Sequence, residues 1–445
     1  MRLFRIIISL VLFSFSFSFF EISAYAQSLD FEKTLTENKN ILLTKSSSQL
    51  PLVTIRISIH AGSKYEKKEF AGLANLTALT LGRGTKTRDA LSIEKLNDEL
   101  GGGVSFETGH NFVTVSTKLL KRDLEKGFEL LSDILNNPTF PENEIRKTKM
   151  RLYGKEKKGQ FSPNYIARKS FLSSLYGDHP YGRLIEGSSK TIKKIEKKDI
   201  VDFYNKHYKR NDTIFVFVGD IKKEKAKRLV QTFFSKWNSN RLHIPSKTLP
   251  LLKNKTEKKY IKKPFSQTTV IMGNRSIKRT DPNFHTARIM NYILGGGGFE
   301  SRILKNLRER RGLVYSAYSY FASGIENGYW ILALQTKNEN AKLAVSEALS
   351  EIKRLKRFGV TIEELNDAKS YLTGSFATKF DSSGRIADYI LAIERLGFSK
   401  NYPEVYLNKI KSVTLQQIKD ASKKYIKKNH FVITEVGNSR NKEQK

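Results

Sequence analysis

The chain has 445 residues, with 79 Lys and Arg against 44 Asp and Glu, 39% hydrophobic residues and no cysteine. At roughly 100–200 residues per domain the length predicts two or three domains, and the apolar content excludes a wholly disordered chain. The lack of Cys excludes disulfides, thiolate zinc sites, iron–sulfur clusters and Cys nucleophiles, while a net charge of +35 raises nucleic-acid or anionic-surface binding as a question.

Residues 1–26 read as a secretory signal peptide. Arg2 and Arg5 precede an apolar, serine-containing run, and Ala24-Tyr25-Ala26 offers small residues for cleavage before Gln27. The run is about 15 residues long, shorter than the ~20 a bilayer-spanning helix needs. A membrane anchor is therefore the weaker reading, and no Cys follows to carry a lipid. The expected product is exported, and periplasmic if the source is a Gram-negative bacterium.

From there the chain is written twice. In the first half, Val53-Thr54-Ile55-Arg56-Ile57-Ser58-Ile59 alternates like a half-buried strand. Helical patterns follow at 72–80 and 92–100, and Gly101-Gly102-Gly103 precedes strand-like runs at 104–108 and 112–117. A helix is predicted over 121–135, with Leu124, Phe128, Leu131 and Leu135 at helical spacing. An α-rich middle ends near Tyr208 and leads into a strand at 213–220.

The second half repeats the order. A strand at 267–272 and a helix at 285–294 lead to Gly295-Gly296-Gly297-Gly298, read as a tight turn that lets backbones approach. Residues 300–311 read as a helix with Ile303, Leu304 and Leu307 as its apolar stripe, stopped by Gly312. Strands at 313–320 and 328–335 follow. A helix at 340–355 is expected to turn Leu343, Val345, Ala348, Leu349 and Ile352 inward, and a helix at 415–425 and a strand at 431–438 close the half. The expected fold class is α+β, with two similar domains, each an antiparallel-rich sheet packed with helices. The boundaries are drawn at 27–236 and 265–445, with a linker at 237–264 that carries Asn, Ser, Lys and prolines without periodicity.

An ordered set of short motifs runs through both halves: Gly72-Leu73-Ala74, then Asp178-His179-Pro180-Tyr181-Gly182-Arg183, Phe203-Tyr204 with Tyr208, and Val218-Gly219-Asp220. Ile293-Leu294-Gly295-Gly296-Gly297, Ser301-Arg302, Leu307-Arg308-Glu309 and Arg311-Gly312-Leu313-Val314-Tyr315-Ser316 complete it. With these the chain resembles the insulinase/pitrilysin-type metallopeptidases, in particular their short bacterial, mitochondrial-processing-peptidase-like branch. The resemblance implies two half-domains that form one half of a clamshell around a peptide-digesting chamber. It also implies a zinc site on an inverted His-x-x-Glu-His motif directly after Gly72-Leu73-Ala74.

That motif is missing. Asn75 stands at the first His position, Ala78 at the general-base Glu and Leu79 at the second His. Zinc hydrolases need protein ligands and a separate base for the water's proton, and Ala and Leu can do neither. The nearest match to the third ligand is Glu156, in Lys155-Glu156-Lys157-Lys158, which reads as a solvated charged helix face. The seven histidines, His60, His110, His179, His207, His243, His285 and His430, form no ligand-spaced pair and read as structural or surface residues. There is also no Gly-x-Ser-x-Gly elbow and no phosphate-binding loop. No metal or cofactor is expected in this chain.

The resemblance implies that a different element is kept. Arg308 and Tyr315, seven residues apart, correspond to a pair that reaches into the zinc site of the other half, holds the substrate carbonyl and stabilises the oxyanion. It also implies that an edge strand at 102–108 pairs with extended peptide substrates. The resulting expectation is a non-catalytic partner subunit of an exported two-chain zinc peptidase, with zinc in a homologous partner. The alternatives are a peptide-binding scaffold of the same fold and a self-sufficient metallopeptidase with a divergent site. The charge does not favour nucleic acid. Lys pairs are scattered over both halves, from Lys67-Lys68 to Lys427-Lys428. A dispersed surplus reads as a solvated surface with at most weak, salt-sensitive attraction to anionic membranes.

Overall fold

The computed structural model describes residues 29–438 except 37–39, 209–212, 236, 238–248, 250–254 and 327. The expected signal peptide and most of the expected linker lie outside the described residues.

Two sheets organise the chain. The first has the order β1 (Glu32–Leu35), β2 (Ile41–Ser46), β6 (Ile214–Gly219), β3 (Leu52–Ile59), β5 (Val113–Leu120) and β4 (Ser105–Thr108). The second runs β7 (Glu257–Lys262), β11 (Val432–Gly437), β8 (Gln267–Arg275), β10 (Tyr329–Lys337) and β9 (Val314–Ala322). The two share one topology. In each, the last strand of the half lies parallel to the first (β2 with β6, β7 with β11), and the neighbouring pairs through the middle are antiparallel. The repeat read from the sequence is thus a repeat of strand order, β1 being the addition in the first half. β7 lies inside the segment assigned to the linker. Its Lys-rich sequence, EKKYIK, hides a strand fixed by pairing with β11.

Each sheet covers one face with its own helices. Under the first, the helix Leu73–Leu81 and Phe128 and Leu131 of the helix Leu124–Asn136 pack against Val53, Ile55, Ile57 and Phe217. Under the second, the helices Phe284–Asn291, Ala341–Phe358 and Leu415–Tyr425 bury Met272, Trp330 and Leu332. The other face of each sheet is closed by a helix from the opposite half. The helix Pro163–Tyr176 sets Ala167, Phe171 and Leu172 against Ile271, Ile331, Val432 and Val436. In return, the helix Ser383–Leu396 places Ala387, Ile390 and Leu391 over Leu43, Val216 and Val218.

This exchange explains why β3 is not half-buried as its alternation predicts. Thr54 and Ser58 are fully buried, because the polar face of β3 meets a polar stripe on the helix Ser383–Leu396. Thr54 Oγ1 lies 2.8 Å from Ser383 Oγ. Arg56 Nε donates to Asp388 at 2.7 Å, and Arg395 Nε donates to Ser58 Oγ at 2.8 Å. A second correction concerns the helix Ala341–Phe358. Its buried side is Ala341, Ala344, Ala348, Ile352 and Leu355, which leaves Leu343 46% exposed. Among the described residues no helix is long and apolar enough to cross a membrane.

Candidate functional site

The helix Leu73–Leu81 starts at Gly72, whose φ of +101° suits glycine. Its first turn is capped from a distance. Glu66, 2% exposed, accepts the backbone N–H of Gly72 at 3.1 Å and of Ala74 at 3.0 Å. Burial pushes this carboxyl up to about 7, against the opposing pull of those N–H donors and of Arg183. The helix on which the resemblance implies a zinc motif is thus formed and capped, but it carries no His or carboxylate donor. Ala78 is 1% exposed in the core, and Asn75 and Leu79 are half-buried one turn apart. Among the described residues no group of three or more His, Asp or Glu could hold a metal ion. The side chains at this helix do not fit zinc.

Glu156 is not on a solvated face. It is 8% exposed and turned towards the start of the helix Ser189–Lys194, where it accepts from the backbone N–H and hydroxyl of Ser189. Lys169 Nζ approaches it to 3.5 Å. Burial raises its pKa, but the Ser189 donors and Lys169 outweigh burial and hold the carboxyl below its ordinary value. Its flanking lysines point outward, so the local charge run concealed an inward carboxylate that caps a helix. Three of the described histidines make packing or hydrogen-bond contacts within the fold. His285 Nε2 lies 3.0 Å from Tyr402 Oη, His110 Nδ1 lies 2.9 Å from Ser63 Oγ, and His207 packs on Tyr65 and Phe203.

Arg308 and Tyr315, chosen from the sequence on resemblance alone, lie together. The segment expected as one helix at 300–311 is three pieces: a 3₁₀ turn at Gly298–Glu300, an α turn at Arg302–Leu304 and a π turn at Lys305–Arg310. The expected stripe holds, since Ile303, Leu304 and Leu307 are buried. Gly312, at φ +62°, ends the segment. Gly312 N–H reaches Arg308 O at 3.0 Å and Leu313 N–H reaches Leu307 O at 2.7 Å, each one residue further back than in a Schellman cap, as a widened turn requires. Such π turns are frequent at functional sites.

The strand after it carries a bulge. Gln335 faces Ser316 and Thr336 faces Val314, which leaves Tyr315 as the extra residue. The bulge turns Tyr315 outward, 79% exposed, beside Arg308. The Arg308 guanidinium carbon lies 5.0 Å from the Tyr315 ring centre and 4.7 Å from that of Phe299. Among the described residues that guanidinium has no carboxylate or hydrogen-bond partner. Two rings therefore hold its plane while its N–H groups remain free to donate.

Phe299, 58% exposed, was missed by sequence reasoning. A large apolar residue directly after four glycines was its only signal. Also missed was Asn291, which ties this region to the sheet. Its amide donates to Ser319 O at 2.9 Å and accepts from Ser319 Oγ at 2.8 Å and Trp330 Nε1 at 2.9 Å. Close approach there explains Gly295, where an added Cβ would stand 2.5 Å from Ser319 Oγ. In the first sheet, β4 pairs only with β5, so the segment expected at 102–108 supplies an edge strand.

Comparison with known proteins gives a consistent picture. A model described as insulinase (peptidase family M16) matches residues 41–189, and one described as the peptidase M16 inactive domain matches residues 194–372. The chain is 28% identical to an uncharacterized zinc protease of Rickettsia felis over 349 residues, 77% of this chain and 82% of that protein. It is 23% identical to the non-peptidase homologue YmxG of Helicobacter pylori, covering 91% of this chain and 94% of that one. Among solved structures, a peptidase M16 inactive domain from Pseudomonas fluorescens superposes with a TM-score of 0.87 at 25% identity, covering 92% of this chain and 98% of its own.

Proposed function

The chain belongs to the insulinase (M16) peptidase family, and from that premise we propose that it is the non-catalytic subunit of an exported, two-chain zinc peptidase. One observation carries the reading. The Arg308–Tyr315 pair is assembled and outward-facing, while the helix that would hold the metal carries Asn75, Ala78 and Leu79. A donor pair with no centre of its own makes chemical sense if it serves a centre on another chain. In this reading the zinc and the general base belong to a homologous partner, and zinc supplies Lewis-acid activation there. This chain closes the chamber as one half of the clamshell, offers the edge of β4 to an extended peptide, and aims Arg308 and Tyr315 at the scissile carbonyl. Guanidinium and phenol donors fixed where negative charge develops stabilise an oxyanion, and clamping between two rings lowers the cost of holding the guanidinium still.

The likeness to the non-peptidase homologue favours a second reading, in which the clamshell binds peptides without serving hydrolysis. Reconstitution separates the two. The purified chain is mixed with a co-encoded homologue that carries an intact His-x-x-Glu-His motif, and peptide cleavage and complex formation are followed. The subunit reading predicts a stable complex and chelator-sensitive cleavage by the mixture alone. Tight peptide binding with no effect on the partner's rate would support the scaffold instead. Export through residues 1–26, and weak, salt-sensitive attraction of the basic surface to anionic membranes, belong to the same proposal.

A further inference from the structure

At the seam between the two halves lies a cavity of about 270 Å³ whose lining includes Glu107, His110, Phe112, Thr114 and Arg395. Glu107 comes from β4, Thr114 from β5, His110 and Phe112 from the turn joining them, and Arg395 from the helix Ser383–Leu396 of the second half. It is distinct from the Arg308–Tyr315 pair and needs no partner chain.

Arg395 is held in place by neutral groups. Its Nε donates to Ser58 Oγ at 2.8 Å and its Nη2 to Thr114 Oγ1 at 2.6 Å. The guanidinium carbon lies 4.5 Å from the Phe112 ring centre. Among the described residues no carboxylate comes within 4.0 Å of it. Burial pushes its pKa down to about 10, with Glu107 and Asp388 pulling the other way from a distance. A guanidinium taken largely out of water without a counter-charge is costly.

The opposite charge stands close by. The β4–β5 register sets Glu107 directly across from Thr114, the residue whose hydroxyl receives Arg395. Cross-strand neighbours of this kind have Cβ atoms about 4.5–5.5 Å apart. Glu107 is nevertheless exposed and makes no ion pair among the described residues. A cation and an anion thus line one small cavity without meeting, and an aromatic ring, Phe112, lines it with them.

We propose that this cavity binds a small zwitterion, an α-amino acid or a dipeptide, with its carboxylate on Arg395 and its ammonium group at Glu107. The volume lies below the roughly 300–1,000 Å³ typical of drug-sized sites, which suits a ligand of one or two residues. A charge-assisted bond from a fixed guanidinium to a carboxylate is among the stronger polar contacts available, and Phe112 offers an apolar surface for the ligand's side chain.

Isothermal titration of the whole chain with L-leucine and with L-alanyl-L-leucine tests the proposal and identifies which size fits. Saturable binding of one of them is expected. Leucinamide, which lacks the carboxylate, and N-acetyl-leucine, which lacks the ammonium group, are each expected to bind at least ten-fold more weakly. Arg395→Gln should abolish binding. Because Arg395 also braces the seam, the decisive variant is Glu107→Gln, at an exposed position, which should keep the melting temperature and lose about ten-fold in affinity. No binding of either zwitterion at tens of millimolar overturns the proposal. So does equal binding of leucine, leucinamide and N-acetyl-leucine, or an unchanged affinity in Glu107→Gln.

Discussion

The Arg308 guanidinium stacks over the ring of Tyr315 at 5.0 Å, on a residue that a β-bulge has pushed out of its strand pairing. A regular strand would alternate its side chains strictly between faces. The extra residue lets Tyr315 and Ser316 both face outward while Val314 and Ala317 stay buried. The π turn carrying Arg308 and the bulge carrying Tyr315 are thus two local irregularities that converge on one stack.

The stack separates its members' roles. Tyr315→Phe keeps the ring and removes the donor, so in the reconstituted peptidase it should lower kcat about ten-fold or more with little change in KM. Phe299→Ala removes one face of the clamp and no donor. A cation–π contact at an exposed site is worth about 0.5–1 kcal/mol, so a loss of only a few-fold is expected. Steady-state kinetics of the two variants check this, and a larger effect from Phe299→Ala than from Tyr315→Phe would reverse the assignment.

The crossed helices predict that the halves unfold together. Phe171 belongs to the first half but is buried against the second sheet. Phe171→Ala should cost about 3–5 kcal/mol while preserving a single cooperative transition in calorimetry. Two separated transitions, one of them unmoved by the substitution, would show that the halves are independent.

Glu156 offers a test of the expectation that this chain holds no metal. In its present place it caps the helix Ser189–Lys194, so Glu156→Ala should destabilise the chain by about 0.5–2 kcal/mol through loss of that cap. Metal analysis of the purified protein should be the same for both forms. A zinc content that disappears with Glu156 would mean that the residue is a ligand.

How much of this was legible in the sequence depends on what each feature rests on. The two-fold repeat was readable because helices such as Leu415–Tyr425 carry their own periodicity and strands such as β8 a short run of β-branched and apolar residues. β7 was not, since three lysines in six residues look like linker and only pairing with β11 makes them a strand. The alternation of β3 read as a half-buried strand because the helix that covers its polar face lies more than 300 residues away in the chain. The Arg308–Tyr315 pair was reachable by resemblance, whereas Phe299 and the bulge depend on turn geometry and cross-strand register. The inward turn of Glu156 was invisible for a similar reason, because the helix start it caps, at Ser189, lies 33 residues downstream.

Glu66 gives the chain a predictable pH response. Its carboxyl is raised to about 7 in the folded protein, chiefly by burial, against an ordinary 4.5. A carboxyl raised on folding favours the folded state in its protonated form. Its contribution is therefore fully present below about pH 4.5 and is lost as pH rises towards 7, by about 3 kcal/mol in all. Glu66→Gln should flatten the stability profile between pH 5 and 7 in urea titrations. An unchanged slope would place the pH sensitivity elsewhere.

The central claim is that this chain lends its donors to a zinc site on another chain. Its most direct test is the peptidase rate of the zinc-bearing homologue mixed with wild-type chain or with Arg308→Ala. Arg308 is partly exposed and its guanidinium packs on the rings of Phe299 and Tyr315, so the variant should fold and still form the complex. The predicted result is a fall in kcat of about 10²–10³-fold, the range for losing an oxyanion donor. A mixture that cleaves peptide at the wild-type rate with Arg308→Ala would contradict the account.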